Sequence, residues 1–188
     1  EKVFENIWIQ PAAGDAGGSL GAALAYWYHE LKMPRNDYKD QMNGSYLGPE
    51  FNNEEIKKKL NELGAKFHFF NDNELINKTA TDLSEGKGIG WFQGRMEFGP
   101  RALGGRSIIA DPRSETMQKN LNLKVKYRES FRPFAPSVLR EDVGEWFDFD
   151  KDSPYMLIVS NVKKEKQQKM SDVEKKLFGI ENNITINP

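Results

Sequence analysis

The sequence has 188 residues, 38% hydrophobic and 12% aromatic, with a net charge of −1 from 27 Lys and Arg against 28 Asp and Glu. That size suits one domain, or one domain with a piece of another, and the charge balance excludes wholesale disorder and a uniformly basic nucleic-acid surface. There is no cysteine, so disulfides, thiol catalysis and cysteine-bound zinc are excluded and a reducing, cytoplasmic compartment is expected.

No apolar run approaches the ~20 residues of a membrane helix. The chain opens EKVFENIWIQP, without an initiator methionine or a signal pattern, and stops abruptly at GIENNITINP. It reads as a piece of a longer protein. IWIQ, Ile7 to Gln10, has the composition of a short strand. The glycine turn PAAGDAGG then leads into a helix over Ser19 to Leu31. KMPRNDYKDQMNGSYLGPEF is polar and rich in Pro and Asn-Gly signals, and marks a domain boundary. NNEEIKKKLNELG predicts a helix capped by Asn52 or Asn53, with Ile56, Leu60 and Leu63 on one face and Gly64 at its end.

AKFHFF is a strand candidate, and NDNELINKTATDLSEG a helix ended by Gly86. GIGWFQG predicts a buried strand and SIIAD a second one. ETMQKNLNLKVKYR starts helical, PFAPSVLREDVGEWFDFD carries a short strand and a helical turn, and SPYMLIVSNV is a strong strand. KKEKQQKMSDVEKKLFG is a charged, solvated segment. Interleaved strands and helices give an α/β or α+β class. Trp91, Trp146 and the phenylalanines are assigned to the core. His29 and His68 lack ligand-like spacing and are given structural roles.

Asp15 sits inside the glycine turn, directly before a helix. Glycines let a ligand approach the backbone, and a helix N-terminus favours phosphate. A carboxylate there suits a metal ligand beside an anion; the alternative is that Asp15 simply caps the helix.

Between Gln93 and Arg132 stand nine basic residues and four acidic ones, a net +5 against −6 for the rest. Arginine favours bidentate contacts with phosphate or carboxylate, and each charge-assisted hydrogen bond contributes about 1.5–3 kcal/mol. Arg95 emerges where the strand GIGWFQG ends, Gly99-Pro100 makes a turn, Gly104-Gly105 permit close approach, and Arg106 enters the next strand. Charges at strand ends around glycine turns form pockets in α/β sheets. GPRALGGRS is not a P-loop, because Gly105 stands where Lys belongs. The alternative is a surface lattice with Glu97 and Asp111 as partners. Lys126, Arg128 and Arg132 share one face if their segment is extended, with Phe131 packed behind and Phe134 exposed beside them unless Pro133 and Pro136 break the alternation. Here the alternative is a solvated edge strand.

Taken together, PAAGDAGGSLGAAL, YLGPEF, RMEFGPRALGGRSIIADPR, KVKYRESFRPFAPSVL and SPYML, in that order over residues 7 to about 160, resemble the NodU/CmcH carbamoyltransferase family. The resemblance implies two parts: residues 1–44 as the C-terminal tail of a metal-containing, ASKHA-type domain, and 45–188 as a truncated YrdC-like domain. The implied fold is α/β, a twisted mixed sheet with flanking helices preceded by a strand-helix remnant.

It also implies formation of carbamoyl adenylate from carbamoyl phosphate and ATP, then carbamoyl transfer to a hydroxyl of a sugar or secondary-metabolite acceptor. By resemblance, Arg101, Arg106, Lys126 and Arg128 are catalytic. Arg95, Gly99, Gly104, Arg132 and Ser137 join them in binding carbamoyl phosphate and nucleotide, and Asp15 matches a metal ligand. The implied cofactors are ATP with Mg and a divalent metal, iron being one candidate. The implied partner is an N-terminal domain of the same chain, so this segment alone is not expected to complete the transfer. The family's HVDG-type segment after SPYML is missing. A YrdC-like nucleic-acid-binding module is the alternative function, disfavoured by the charge of −1.

Overall fold

The computed structural model describes residues 8–35 and 40–169. Ile7 and the part of the charged segment beyond 169 lie outside the described residues. Those described form a mixed α/β arrangement of five α-helices and one two-stranded antiparallel sheet. In chain order these are α1 (Asp15–Ala25), α2 (Asn53–Glu62), α3 (Asp72–Ser84), β1 (Ile89–Phe92), β2 (Arg106–Ile109), α4 (Met117–Lys124) and α5 (Val143–Trp146). Helix α1 runs on through a π-helical turn, Tyr26–Glu30.

The helices follow the local signals. Asn52 caps α2 and Asn71 caps α3, each accepting from the amide three residues on while that residue's glutamate, Glu55 or Glu74, accepts from the cap amide. This reciprocal box satisfies two otherwise orphaned N–H groups. Gly64 and Gly86 end the two helices at positive φ, 64° and 79°, where glycine carries no Cβ penalty.

The chain divides into two compact units: the described parts of Glu1–His68 with Trp91–Ser107 and Ser153–Ile158, and Phe69–Gly90 with Ile108–Asp152 and the described part of Val159–Pro188. In the first unit, residues 45–49 run beside 96–98 through Gly48 N to Met96 O (2.9 Å), Met96 N to Pro49 O (2.9 Å) and Phe98 N to Ser45 O (2.6 Å). YLGPEF is thereby laid against the arginine stretch. The buried Tyr155 hydroxyl donates to Asp40 Oδ2 and accepts from Gly44 N at 3.2 Å. In the second unit Met117 and Leu121 of α4 are buried, and Phe147 bridges to Val162.

Several expected strands are absent. Residues 8–10, 65–70 and 134–139 contain no strand, and SPYMLIVSNV contributes only the Val162 bridge. A strand exists only where a neighbouring segment pairs along it in a ladder, and among the described residues the one sheet ladder joins β1 to β2. Val159 is 97% exposed and Phe69 75%. The expected core is correspondingly thin: Met42, Met117, Leu121 and Tyr155 are the buried large apolar side chains among the described residues. Strand β1 is half-exposed rather than buried, and Trp146 is 46% exposed beneath the Lys166 ammonium, 4.6 Å from its ring centroid. Lys166 also pairs with Glu145, so this part of the charged segment is tied down rather than merely solvated.

Candidate functional site

The arginine stretch is organised by a carboxylate. Glu97, only 4% exposed, receives Leu103 N (2.6 Å) and Gly105 N (2.7 Å) on Oε1 and Arg106 Nε (2.9 Å) on Oε2. Arg106 Nη2 donates onward to Glu97 O (3.0 Å) and Gly99 O (2.8 Å). Burial opposes the charge on Glu97, but the hydrogen bonds from Leu103, its own amide, Arg106 and Gly105 outweigh it and hold the carboxyl down to about 2.

The glycines here are approached by protein atoms. A Cβ on Gly105 would lie 3.2 Å from the Glu97 carboxylate, one on Gly104 3.1 Å from the Tyr46 hydroxyl, and one on Gly99 2.5 Å from Ala12 Cβ. Arg95 pins the neighbouring segment, donating to Gly48 O (2.7 Å) and Glu50 Oε2 (3.1 Å). Arg113 is bidentate to Asp111, whose carboxyl it holds at about 2. The lattice expected as the alternative therefore accounts for Arg106 and Arg113.

Arg101 stands apart. It is exposed and has no hydrogen-bond or ion-pair partner among the described residues. It lines a cavity of about 220 Å³ within the first unit, together with Ala13 and Gly14 at the start of α1, Ser45, Phe98 and Tyr155. Three lining residues from separate segments, Ala12 (φ 53°), Ser45 (φ 65°) and Met156 (φ 53°), hold the left-handed conformation. Such strain costs about 1–3 kcal/mol per residue and gathers at ligand sites. Burial, with the bond to Asp40 next, pushes the Tyr155 phenol up, so the hydroxyl stays a proton donor.

The second basic group belongs to the second unit and is not an extended face. Tyr127 takes φ 49°, breaking the alternation, and the segment wraps Asn122 of α4. Asn122, fully buried, donates to Ser130 O (3.0 Å) and Arg132 O (2.8 Å) and accepts from Arg128 Nε (2.6 Å). The Arg128 guanidinium lies 4.9 Å from the centroid of Phe134, which is thus beside the basic residues. Arg132 pairs with Glu129 at 2.8 Å. Lys126 and Ser137 are exposed and Phe131 is 58% exposed, so the expected packing of Phe131 does not occur.

Asp15 is the first residue of α1, not its cap. Gly14 occupies the cap position and no side-chain cap bond forms. Among the described residues no three His, Cys, Asp or Glu gather in a metal-binding group, around Asp15 or elsewhere. Asn122 and Tyr155 escaped the reading by residue type, and Glu97 entered it only as a surface lattice partner. For Glu97 the available signal was a lone acid inside a glycine- and arginine-rich stretch.

Residues 80–176 match the carbamoyltransferase C-terminus family, and the chain belongs to that family. It is 58% identical, over 96% of its length, to an uncharacterized protein of Synechocystis sp.. It is 40% identical over 87% to nodulation protein NolO of Bradyrhizobium diazoefficiens, and 32% identical over 86% to 3'-hydroxymethylcephem-O-carbamoyltransferase of Streptomyces clavuligerus. The chain spans 30%, 30% and 29% of these relatives' lengths. Among the described residues no helix is long and apolar enough to cross a membrane.

Proposed function

We propose that this chain supplies the carbamoyl phosphate-binding part of an O-carbamoyltransferase. The observation that carries the reading is Arg101, an uncommitted guanidinium on a small cavity in a chain of this family. Gly14, the N-cap residue of α1, lines the same cavity, and a helix N-terminus favours an anion. Its volume, about 220 Å³, is below the roughly 300 Å³ at which small-molecule pockets begin and suits a small dianion better than a whole nucleotide.

In this reading the enzyme forms carbamoyl adenylate from carbamoyl phosphate and ATP with Mg, releasing phosphate and pyrophosphate, and passes the carbamoyl group to a hydroxyl of a sugar or secondary metabolite, releasing AMP and the hydroxyl proton. Arg101 holds the phosphoryl oxygens, while Arg106 acts as an anchor beneath it. Lys126, Arg128, Arg132 and Ser137 of the second unit are proposed for the nucleotide phosphates. Residues 1–44 are assigned to an ASKHA-type metal domain and 45–188 to a YrdC-like twisted-sheet domain. Asp15 would give a divalent metal one ligand, the rest coming from outside the described residues, and no step is routed through it.

Calorimetric titration with carbamoyl phosphate tests this. Saturable binding that Arg101→Ala weakens by at least tenfold supports the reading. Absence of such binding together with tight, salt-sensitive binding of duplex RNA overturns it.

A further inference from the structure

We propose that Glu97 is the positioning residue that sets Arg101 at the cavity, acting through the 99–105 loop. The inference rests on the carbamoyl phosphate reading and names how that site is held.

Both ends of the loop trace to one side chain, the far end directly and the near end through Arg106. At its far end, Leu103 N and Gly105 N converge on Glu97 Oε1 at 2.6 and 2.7 Å. At its near end, Gly99 O is held by Arg106 Nη2 at 2.8 Å, and Arg106 is itself fixed by Glu97 Oε2 at 2.9 Å. Arg101 is centred between Gly99 and Leu103, so its backbone is confined from both directions. Outer contacts reinforce the frame: the Tyr46 hydroxyl donates to Leu103 O (2.6 Å) and Gly104 N to Ser107 Oγ (3.0 Å).

The chemistry requires a carboxylate. Three N–H donors from the loop and Arg106 meet Glu97, besides its own amide, and an ionised carboxylate answers them with two acceptor oxygens and no donor of its own. Glutamine would turn an NH2 against either the two loop amides or Arg106. The site also explains a glycine. A Cβ at 105 would lie 3.2 Å from the carboxylate and 3.0 Å from Arg95 O, crowding the seat of Glu97. A loop ordered beforehand spares the ligand the entropy of ordering it, so its effect appears in affinity.

The test compares this chain with Glu97→Gln, Arg101→Lys and the double variant. Carbamoyl phosphate affinity is read by calorimetry, order of the 99–105 backbone amides by 15N relaxation, and folding by thermal melting. Glu97→Gln is expected to weaken binding about tenfold, a change of ~1.4 kcal/mol, and to loosen the loop amides. In the Arg101→Lys background the same substitution should cost much less, because the point-charge ammonium cannot use the fixed fork geometry. Equal losses in both backgrounds, or loop amides as ordered as before, overturn the proposal. If Glu97→Gln fails to fold, Gly105→Ala, which crowds the carboxylate but keeps its charge, is read in the same way. If the unsubstituted chain binds no carbamoyl phosphate, the functional reading falls, and the loop relaxation alone still decides the role of Glu97.

Discussion

Arg128 Nε donates to Asn122 Oδ1 at 2.6 Å, and Asn122 itself is fully buried. One amide thus ties α4 to the loop that carries Arg128, because its NH2 group also serves Ser130 O and Arg132 O. Asn122→Ala strips three hydrogen bonds and leaves polar groups unpaired where water enters poorly. The expected loss is about 2–4 kcal/mol, from one or two unsatisfied groups, measured by urea unfolding. Asn122→Asp is expected not to rescue it, since a carboxylate oxygen would face two carbonyls.

Asn122 also shows where the sequence was legible and where it was not. The helices were legible because their signals are local: Asn52 and Asn71 sit three residues before Glu55 and Glu74, and Gly64 and Gly86 stop the helices they follow. The spacing of Lys126, Arg128 and Arg132 could be counted, but not the left-handed Tyr127 that breaks it or the buried Asn122 that gathers the loop. Strand composition in AKFHFF and SPYMLIVSNV was equally visible, yet pairing depends on a second segment that composition does not name. The arginines were found by type. Which of them is spent on a carboxylate depends on contacts such as that from Arg106 to Glu97, nine residues apart and closed by a turn.

Arg101 and Arg106, five residues apart, are expected to separate cleanly. Arg101 has no partner among the described residues, so Arg101→Ala should leave the unfolding free energy within about 0.5 kcal/mol of unchanged, as at ordinary surface sites, while reducing carbamoyl phosphate binding. Arg106→Ala abandons the buried Glu97 carboxylate and two backbone carbonyls. Removing one partner of a buried pair costs about 3–5 kcal/mol, and Arg106 is partly exposed, which places the expected loss toward the lower figure. Melting and calorimetry of both variants check the contrast.

Acid stability should report Glu97. Its carboxyl is held at about 2 in the folded chain against an ordinary 4.5. A folded value below the unfolded one means that the unfolded chain binds the proton first as pH falls. The stabilisation is therefore complete above about pH 4.5 and is lost progressively down to about pH 2. Asp111, also held at about 2 by Arg113, titrates in the same window. The measurement is the difference between the unsubstituted chain and Glu97→Gln: the slope of unfolding free energy against pH between 5 and 2, the range set by those two values, should be shallower in the variant. Identical slopes would place the acid sensitivity elsewhere.

Gly17 and Gly18 are adjacent on α1 and should respond in opposite directions to the same substitution. Gly17 is buried against the turn that enters the helix, and a Cβ there would fall 2.3 Å from Ala12 O, a backbone atom that cannot swing aside. Ala12 is held on its other side as well, since a Cβ on Gly99 would meet its Cβ at 2.5 Å. Gly17→Ala must then displace Ala12, which lines the Arg101 cavity, and a loss of about 1–3 kcal/mol is expected, as for overpacking of a tight site. Carbamoyl phosphate binding should weaken with it. At Gly18 nothing lies within 4 Å of an added Cβ, and alanine is the better helix former by about 0.5–1 kcal/mol. Gly18→Ala should raise the melting temperature with binding unchanged. Equal effects of the two substitutions, in melting and in calorimetry, would show that α1 does not rest on the Ala12 turn.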